Sequence, residues 1–478
     1  MQGQVAQIFR LFPGATRLLS LLVLVAFFFA EAPLFAATLY WDTNGSTLGA
    51  TTATGTWINA GTTWSTDSTG LSAIGSTTTS ILDSLVVSAG TEVTGTSSIT
   101  ISGAQAANSL TFNNGTVTLA GTAGNSLTLG SGGLTMNSTL NGTLTFNSTL
   151  TSVILSGSQA WTNFSTRALS LSSATAVSGN ATAGNTNLWT LGGPGTGAAT
   201  IAGTISDGLN GGRLSLLKTG STTLTLTGSN AYTGDTTIRE GGISLTFAAA
   251  GTDGVNRISS STALILGDAT PGTGAWTRPN LTATGSAGQN NAQTFASTTV
   301  FSARNAVITA GTAATGSMTI NLGTITAGSY ATLNLTNPNT SSGTISAGDI
   351  LTPTGTLTAG SVNASGMLGT WLTTGTSGTQ GTDWVARSGT SLVPYTGYTV
   401  YAGSGNITSG GTQNLTVTTG TVSASITTPA GTTDVNTIRL TGTATTTLAL
   451  GGTLRLGGNP ETWGGWRDIL VGLGSGWG

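Results

Sequence analysis

Apolar residues recur at every second position through much of this chain. In 216–247, LLKTGSTTLTLTGSNAYTGDTTIREGGISLTF, Leu224 and Leu226 alternate with Thr223, Thr225 and Thr227. One face of an extended strand is then aliphatic and the other hydroxylated. Gly228, Ser229 and Asn230 break the strand, and Tyr232, Thr233 and Gly234 turn the chain again. Thr236, Thr237 and Ile238 open a new run that closes at Gly241 and Gly242. The same alternation predicts strands at Leu82–Val87, Ser109–Phe112, Val117–Leu119, Ser126–Leu129, Leu144–Phe146, Val153–Leu155 and Leu169–Leu171. Turns follow about every eight to twelve residues, so the chain reads as all-β.

A sandwich and a solenoid share that signal, and repetition separates them. SLTFNNG at 109–115, SLTLGSG at 126–132, TLTFNST at 143–149 and SLTF at 244–247 vary one phrase along the chain. We read a right-handed parallel β-helix with coils of roughly twenty residues, aliphatics stacked inside and Gly and Asn at the corners. A single rung cannot bury both faces of its strands. Stacking at about 4.8 Å pairs each backbone with the rungs above and below, and stability accumulates with rung number.

The solenoid is expected over 76–365, loosened between 255 and 345 by Pro271, Pro279 and alanine-rich stretches. Leu264–Leu266, Met318–Leu322 and Leu333–Leu335 restore the pattern, and further coils follow over 402–458. Residues 38–75 read as an aromatic N-terminal cap carrying Trp41, Trp57 and Trp64, since the first coil has no neighbour to cover it. Residues 366–401, with Trp371, Trp384, Tyr395, Tyr398 and Tyr401, read as an aromatic loop or junction. The alternative for Trp41, Trp57, Trp64, Trp371 and Trp384 is contact with glycans, because aromatic faces stack on sugar rings. Residues 459–478 form an irregular tail.

Residues 1–37 follow a separate logic. Arg10 and Arg17 precede an apolar run from Leu18 to Ala30, followed by Pro33 and the small residues Ala36 and Ala37. This is a secretory signal peptide with cleavage expected near Ala36 or Ala37, and the run is shorter than the roughly 20 residues a membrane-spanning helix needs. No transmembrane helix is expected in the mature chain.

Composition narrows the chemistry. Thirteen basic and fifteen acidic residues in 478 leave no charge run, which argues against nucleic acid and against an electrostatically held membrane surface. Glycine contributes 73 residues, and hydroxyls must supply the solubility. Cysteine and histidine are absent and Lys218 is the sole lysine. Disulfides, Cys or His metal sites, cysteine nucleophiles and Ser-His-Asp triads are thereby excluded.

The wording of 216–247 resembles the autotransporter-associated β-strand repeat of Gram-negative surface passengers. Lys218, Thr219, Gly220, Leu224, Leu226, Gly228, Asn230, Tyr232, Thr233, Gly234, Thr236, Thr237, Ile238 and Gly242 carry the resemblance. It implies a secreted or outer-surface, adhesin-like protein of a Gram-negative bacterium. Such passengers end in a membrane barrel whose final residue is usually aromatic; without one here, the resemblance implies a separate exporter.

An enzyme is not expected. Asp235 and Glu240 are the nearest acidic pair considered, and their odd spacing puts them on opposite faces of a continuous strand. Asp235 reads as a corner residue beside Gly234, and Glu240 with Arg239 as a solvated pair. GGPGTG at 192–197 and GLGSGWG at 472–478 lack the lysine and helix of a phosphate loop, and no GGxGxD calcium repeat occurs. No catalytic residue, cofactor or metal ligand is assigned. The expected interactions are surface glycans or self-association. Polysaccharide processing is the alternative, and an ice-binding threonine face ranks lower because the hydroxyls vary from rung to rung in the sequence.

Overall fold

The computed structural model describes residues 36–50, 53–90, 95–247, 254–268, 277–301, 306–312, 316–328, 331–336, 343–352, 355–359, 361–362, 366–369, 371–375, 382–402, 405–407, 410–419, 424–428, 430, 432–442, 446–450, 453–456 and 469–471. Of the expected signal segment over 1–37, all but Ala36 and Ala37 lie outside the described residues, as does most of the C-terminal tail.

Every described element is a strand, and nearly all strand pairs are parallel, each strand bonded to its counterpart one coil away. The protein is a parallel β-helix. Its coils have three walls, because each coil contains three short aliphatic runs separated by turn residues. The first wall stacks Ser84–Val87, the second half of Ala104–Phe112, the second half of Ser126–Met136, Gln159–Asn163, Thr186–Gly192, Arg213–Lys218, Thr236–Ile238, Ala263–Leu266, Ser297–Val300, Thr324–Ala327 and Ile350–Thr352. The second runs from Gly55–Trp57 through Thr96–Ile101 to Leu372–Gly375. The third begins with Ala104–Ala107 over Ser126–Leu129 and continues through Ser152–Leu155, Ala176–Gly179 and Ile205–Ser206; its later rungs include Gln289–Thr294, Gly316–Asn321 and Gly343–Ser346.

Strand alternation sends every second side chain inward, and parallel register aligns those side chains from coil to coil. On the second wall Ile99, Leu119, Phe146, Leu171, Ile201, Leu226 and Leu245 form one buried column. Phe146 stacks on Trp161 of the first wall at 5.5 Å, and Trp161 meets Trp189 edge-on at 4.9 Å. These large rings fill the centre of the triangular section. Coils are longer than the sequence suggests: first-wall partners such as Leu110 and Leu134 are 24 positions apart, and Leu264 and Thr298 are 34 apart. Three walls and three corners need more chain than the roughly twenty residues expected. Only the coil from Leu216 to Thr236, within the repeat, is that short among the first-wall steps.

The stack ends by reversing strand direction. Ile350–Thr352 pairs antiparallel with Gly355–Leu357, Leu372–Gly375 with Asp383–Ser388, and Ser346 of the third wall with Ser391 of the Ser391–Pro394 strand. Each wall thus receives an antiparallel partner at its last rung. Parallel pairing resumes beyond this junction, with Thr399–Ala402, Gly410–Thr419 and Thr432–Gly442 in one sheet and Gly405–Asn406, Ala424–Thr428 and Thr446–Leu450 in another.

Candidate functional site

Segment 216–245 lies mid-stack, and its wording is explained by contacts with the coils on either side. Lys218 occupies a position in the inward column of the first wall, between Leu191 below and Ile238 above. It is almost completely buried. Its Nζ bends to the corner and donates to the carbonyls of Thr219 at 2.5 Å, Gly220 at 2.7 Å and Glu240 at 3.4 Å. Three carbonyls satisfy the three donors of an ammonium. Burial pushes its pKa down to about 8, partly opposed by the nearby Glu240 carboxylate. A cavity of about 20 Å³ beside it, lined by Leu134, Trp161, Leu191, Gly197 and Leu224 among others, has space for one water molecule.

Asn230 takes the place of a third-wall strand. Its Oδ1 accepts the Ile205 N–H at 2.9 Å, and its Nδ2 donates to the Arg257 carbonyl at 2.8 Å and the Gly228 carbonyl at 3.2 Å. One amide side chain thereby bridges the coils below and above, which allows the short coil. Tyr232 is buried, and its hydroxyl lies 2.8 Å from Thr236 Oγ1. Thr233 donates through its backbone N–H and its hydroxyl to the Asp207 carboxylate of the preceding coil, at 3.0 and 2.7 Å. Leu224, Leu226 and Ile238 point into the core, while Thr237 faces outward. Gly220, Gly228, Gly234 and Gly241 press against backbone oxygens of Gly193, Gly203, Leu214 and Gly220 respectively. Gly242, by contrast, leaves more space.

The decisive match is local. Residues 216–245 fit the family model of the passenger-associated-transport-repeat. This segment is a passenger-type repeat. No curated protein and no solved structure matches it.

The passenger-like repeat brings its residues together as a connection between coils. Asp207 and Arg257 complete it from outside the matched segment. Arg257 is buried, donates through Nε to the Thr246 carbonyl at 3.0 Å and lies 5.0 Å above the Phe247 ring. Neither was singled out from the sequence, because their partners lie 26 and 28 positions away, at Thr233 and Ser229. The distance of one coil was the signal that could have found them.

The five candidate glycan-contact tryptophans are placed elsewhere. Trp41, Trp57, Trp64, Trp371 and Trp384 are 0%, 1%, 1%, 6% and 2% exposed, so their ring faces are occupied inside the protein. Trp64 meets Trp41 and Trp57 edge-on at 4.9 and 5.2 Å. Trp41 donates to the Ala53 carbonyl and Trp57 to the Thr79 hydroxyl. At the junction Trp384 packs by Tyr398, whose ring lies under the Arg439 guanidinium at 5.1 Å. Arg439 also pairs with Asp383 at 3.0 Å and donates to the Thr382 carbonyl at 2.7 Å, joining the two stretches of coil.

Two local readings change. Arg239 pairs with Asp268 at 2.9 Å, whereas Glu240 accepts from the Thr277 N–H at 3.0 Å, because the coil above brings closer partners than the adjacent residue can offer. The hydroxyls on the outer second wall also keep register. Ser98, Thr118, Thr145, Ser170, Thr200, Thr225, Ser244, Thr282 and Thr309 form one column along nine rungs. Variation along the sequence lies in flanking positions. Among the described residues, no helix is long and apolar enough to cross a membrane, and no three acidic residues gather as metal ligands.

Proposed function

We propose that this passenger-like repeat protein is a non-catalytic structural wall, secreted or held at the outer surface of a Gram-negative bacterium after signal cleavage near Ala36 or Ala37. Its uninterrupted hydroxyl column along the second wall carries the reading. A sheet face with Ser or Thr at each of nine successive rungs stays soluble with little charge and presents regularly spaced donors and acceptors to another surface. Self-association through this wall is the favoured adhesive mode, because the tryptophans that would stack on glycans are enclosed.

An epitope tag inserted after Gly184, in an exposed turn, tests the location. Protease should remove the tag from intact cells, or the tag should appear in the medium. Retention in the periplasm overturns the reading and returns polysaccharide processing to consideration. Clumping of beads coated with purified protein tests the adhesive mode. Replacing Thr200 and Thr225 by lysine should suppress clumping, and unaltered clumping would place adhesion on another face.

A further inference from the structure

The turn after Trp41 contains polar atoms without partners. Asp42 is fully buried. Its Oδ1 accepts the Asn44 N–H at 3.0 Å, while Oδ2 is sealed from solvent and has no hydrogen-bond partner. Two residues on, the side-chain oxygen and nitrogen of Asn44 are likewise sealed and unpartnered. A carboxylate oxygen deprived of both water and hydrogen bonds is costly to bury unless a cation meets it.

The surrounding backbone is well anchored. Asp42 N–H donates to the Thr63 carbonyl at 3.0 Å, and Gly49 N–H to the Thr69 carbonyl at 2.8 Å. Thr69, Leu71 and Ser72 hold the Asp67 carboxylate in place. The turn over 42–49 is therefore fastened to the segment over 63–72, and each segment carries one carboxylate, Asp42 and Asp67.

We propose that this turn binds a calcium ion, with Asp42 Oδ2 and Asn44 Oδ1 as side-chain ligands and Asp67 as a second negative charge beside it. The donor chemistry selects the ion class. The whole chain lacks cysteine and histidine, so a site here offers oxygen alone. Calcium accepts carboxylate, amide, backbone carbonyl and water oxygens in irregular geometry, whereas magnesium demands a near-ideal octahedron. With no third acidic residue at hand, backbone carbonyls and water complete the shell, and affinity falls in the weak extracellular class, about 10⁻⁴ to 10⁻³ M. Occupancy would clamp the two segments and hold Trp41 against Trp64. The inference is independent of where the protein resides.

Terbium titration of the full chain, with excitation of tryptophan, tests the site because Trp41 adjoins Asp42. We expect saturable terbium emission that calcium displaces, and an unfolding midpoint about 2–4 °C higher in excess calcium than in chelator. Asp42→Asn should weaken binding at least tenfold, and Asn44→Ala about three- to tenfold. Asn44→Ala keeps the carboxylate and decides the matter should Asp42→Asn fail to fold. Absence of saturable emission, or equal emission from wild type and Asn44→Ala, overturns the proposal.

Discussion

A Cβ built on Gly220 would lie 2.2 Å from the carbonyl oxygen of Gly193, one coil below. Gly220 also has φ of +72°, a left-handed conformation that side chains disfavour. Close approach and backbone conformation therefore both require glycine at this corner. Gly220→Ala should destabilise the stack by at least about 2 kcal/mol. Gly184→Ala is the control: its φ is +82°, yet a Cβ there meets nothing within 4 Å, so the cost should be about 1 kcal/mol. Denaturant unfolding of both variants separates the two effects.

Stability should rise with pH between about 8 and 10. Lys218 has its folded pKa pushed down to about 8 from an ordinary 10.5, so across this window the unfolded chain binds the proton more strongly than the folded one. Folding therefore becomes more favourable as pH increases, by up to about 1.4 kcal/mol per pH unit. The penalty of the buried charge is fully present below the folded value. Above about pH 10 the trend should reverse, because burial raises the Tyr232 and Tyr398 phenols and the unfolded chain releases those protons first. Unfolding curves from pH 7 to 11 should show a maximum near 10, and Lys218→Met should flatten the rise.

Asn230 should behave as a bridge between coils. Asn230→Ala removes the acceptor for Ile205 N–H and the donor to Arg257, with an expected loss of about 2–4 kcal/mol. Hydrogen exchange at the Ile205 amide should accelerate before exchange in the second wall does. Asn230→Asp should recover the first bond only, since a carboxylate cannot donate to the Arg257 carbonyl.

The junction should depend on Arg439. Arg439→Ala removes the ion pair to Asp383, the bond to Thr382 and the contact with Tyr398. Proteolysis between Pro394 and Thr399 should quicken several-fold, while the 84–300 coils keep their resistance. Arg239→Ala, which breaks a more exposed pair with Asp268, should cost less than about 1 kcal/mol.

Strand positions were legible because alternation is a local property. Leu144–Phe146 and Leu169–Leu171 match their expected bounds, and Ser126–Leu129 forms the first half of a longer strand. The repeat was legible for the same reason, since its corners and strands lie within one short segment. Coil length was harder to read, because it depends on how many walls a coil must turn through. The roles of Asp207, Arg257 and the tryptophans follow from neighbours a coil away. Lys218 was the least legible of all: nothing local in the sequence says that a charged residue enters an aliphatic column, and only the corner carbonyls that receive its ammonium explain it.

The reversal of strand direction over 355–394 governs growth. A last parallel rung left bare would be a template onto which another chain could add in register, as fibrils elongate. Here each wall meets an antiparallel segment of the same chain, so the repeating coil cannot be copied onward from that end. The molecule thus sets its own length limit for the first stack.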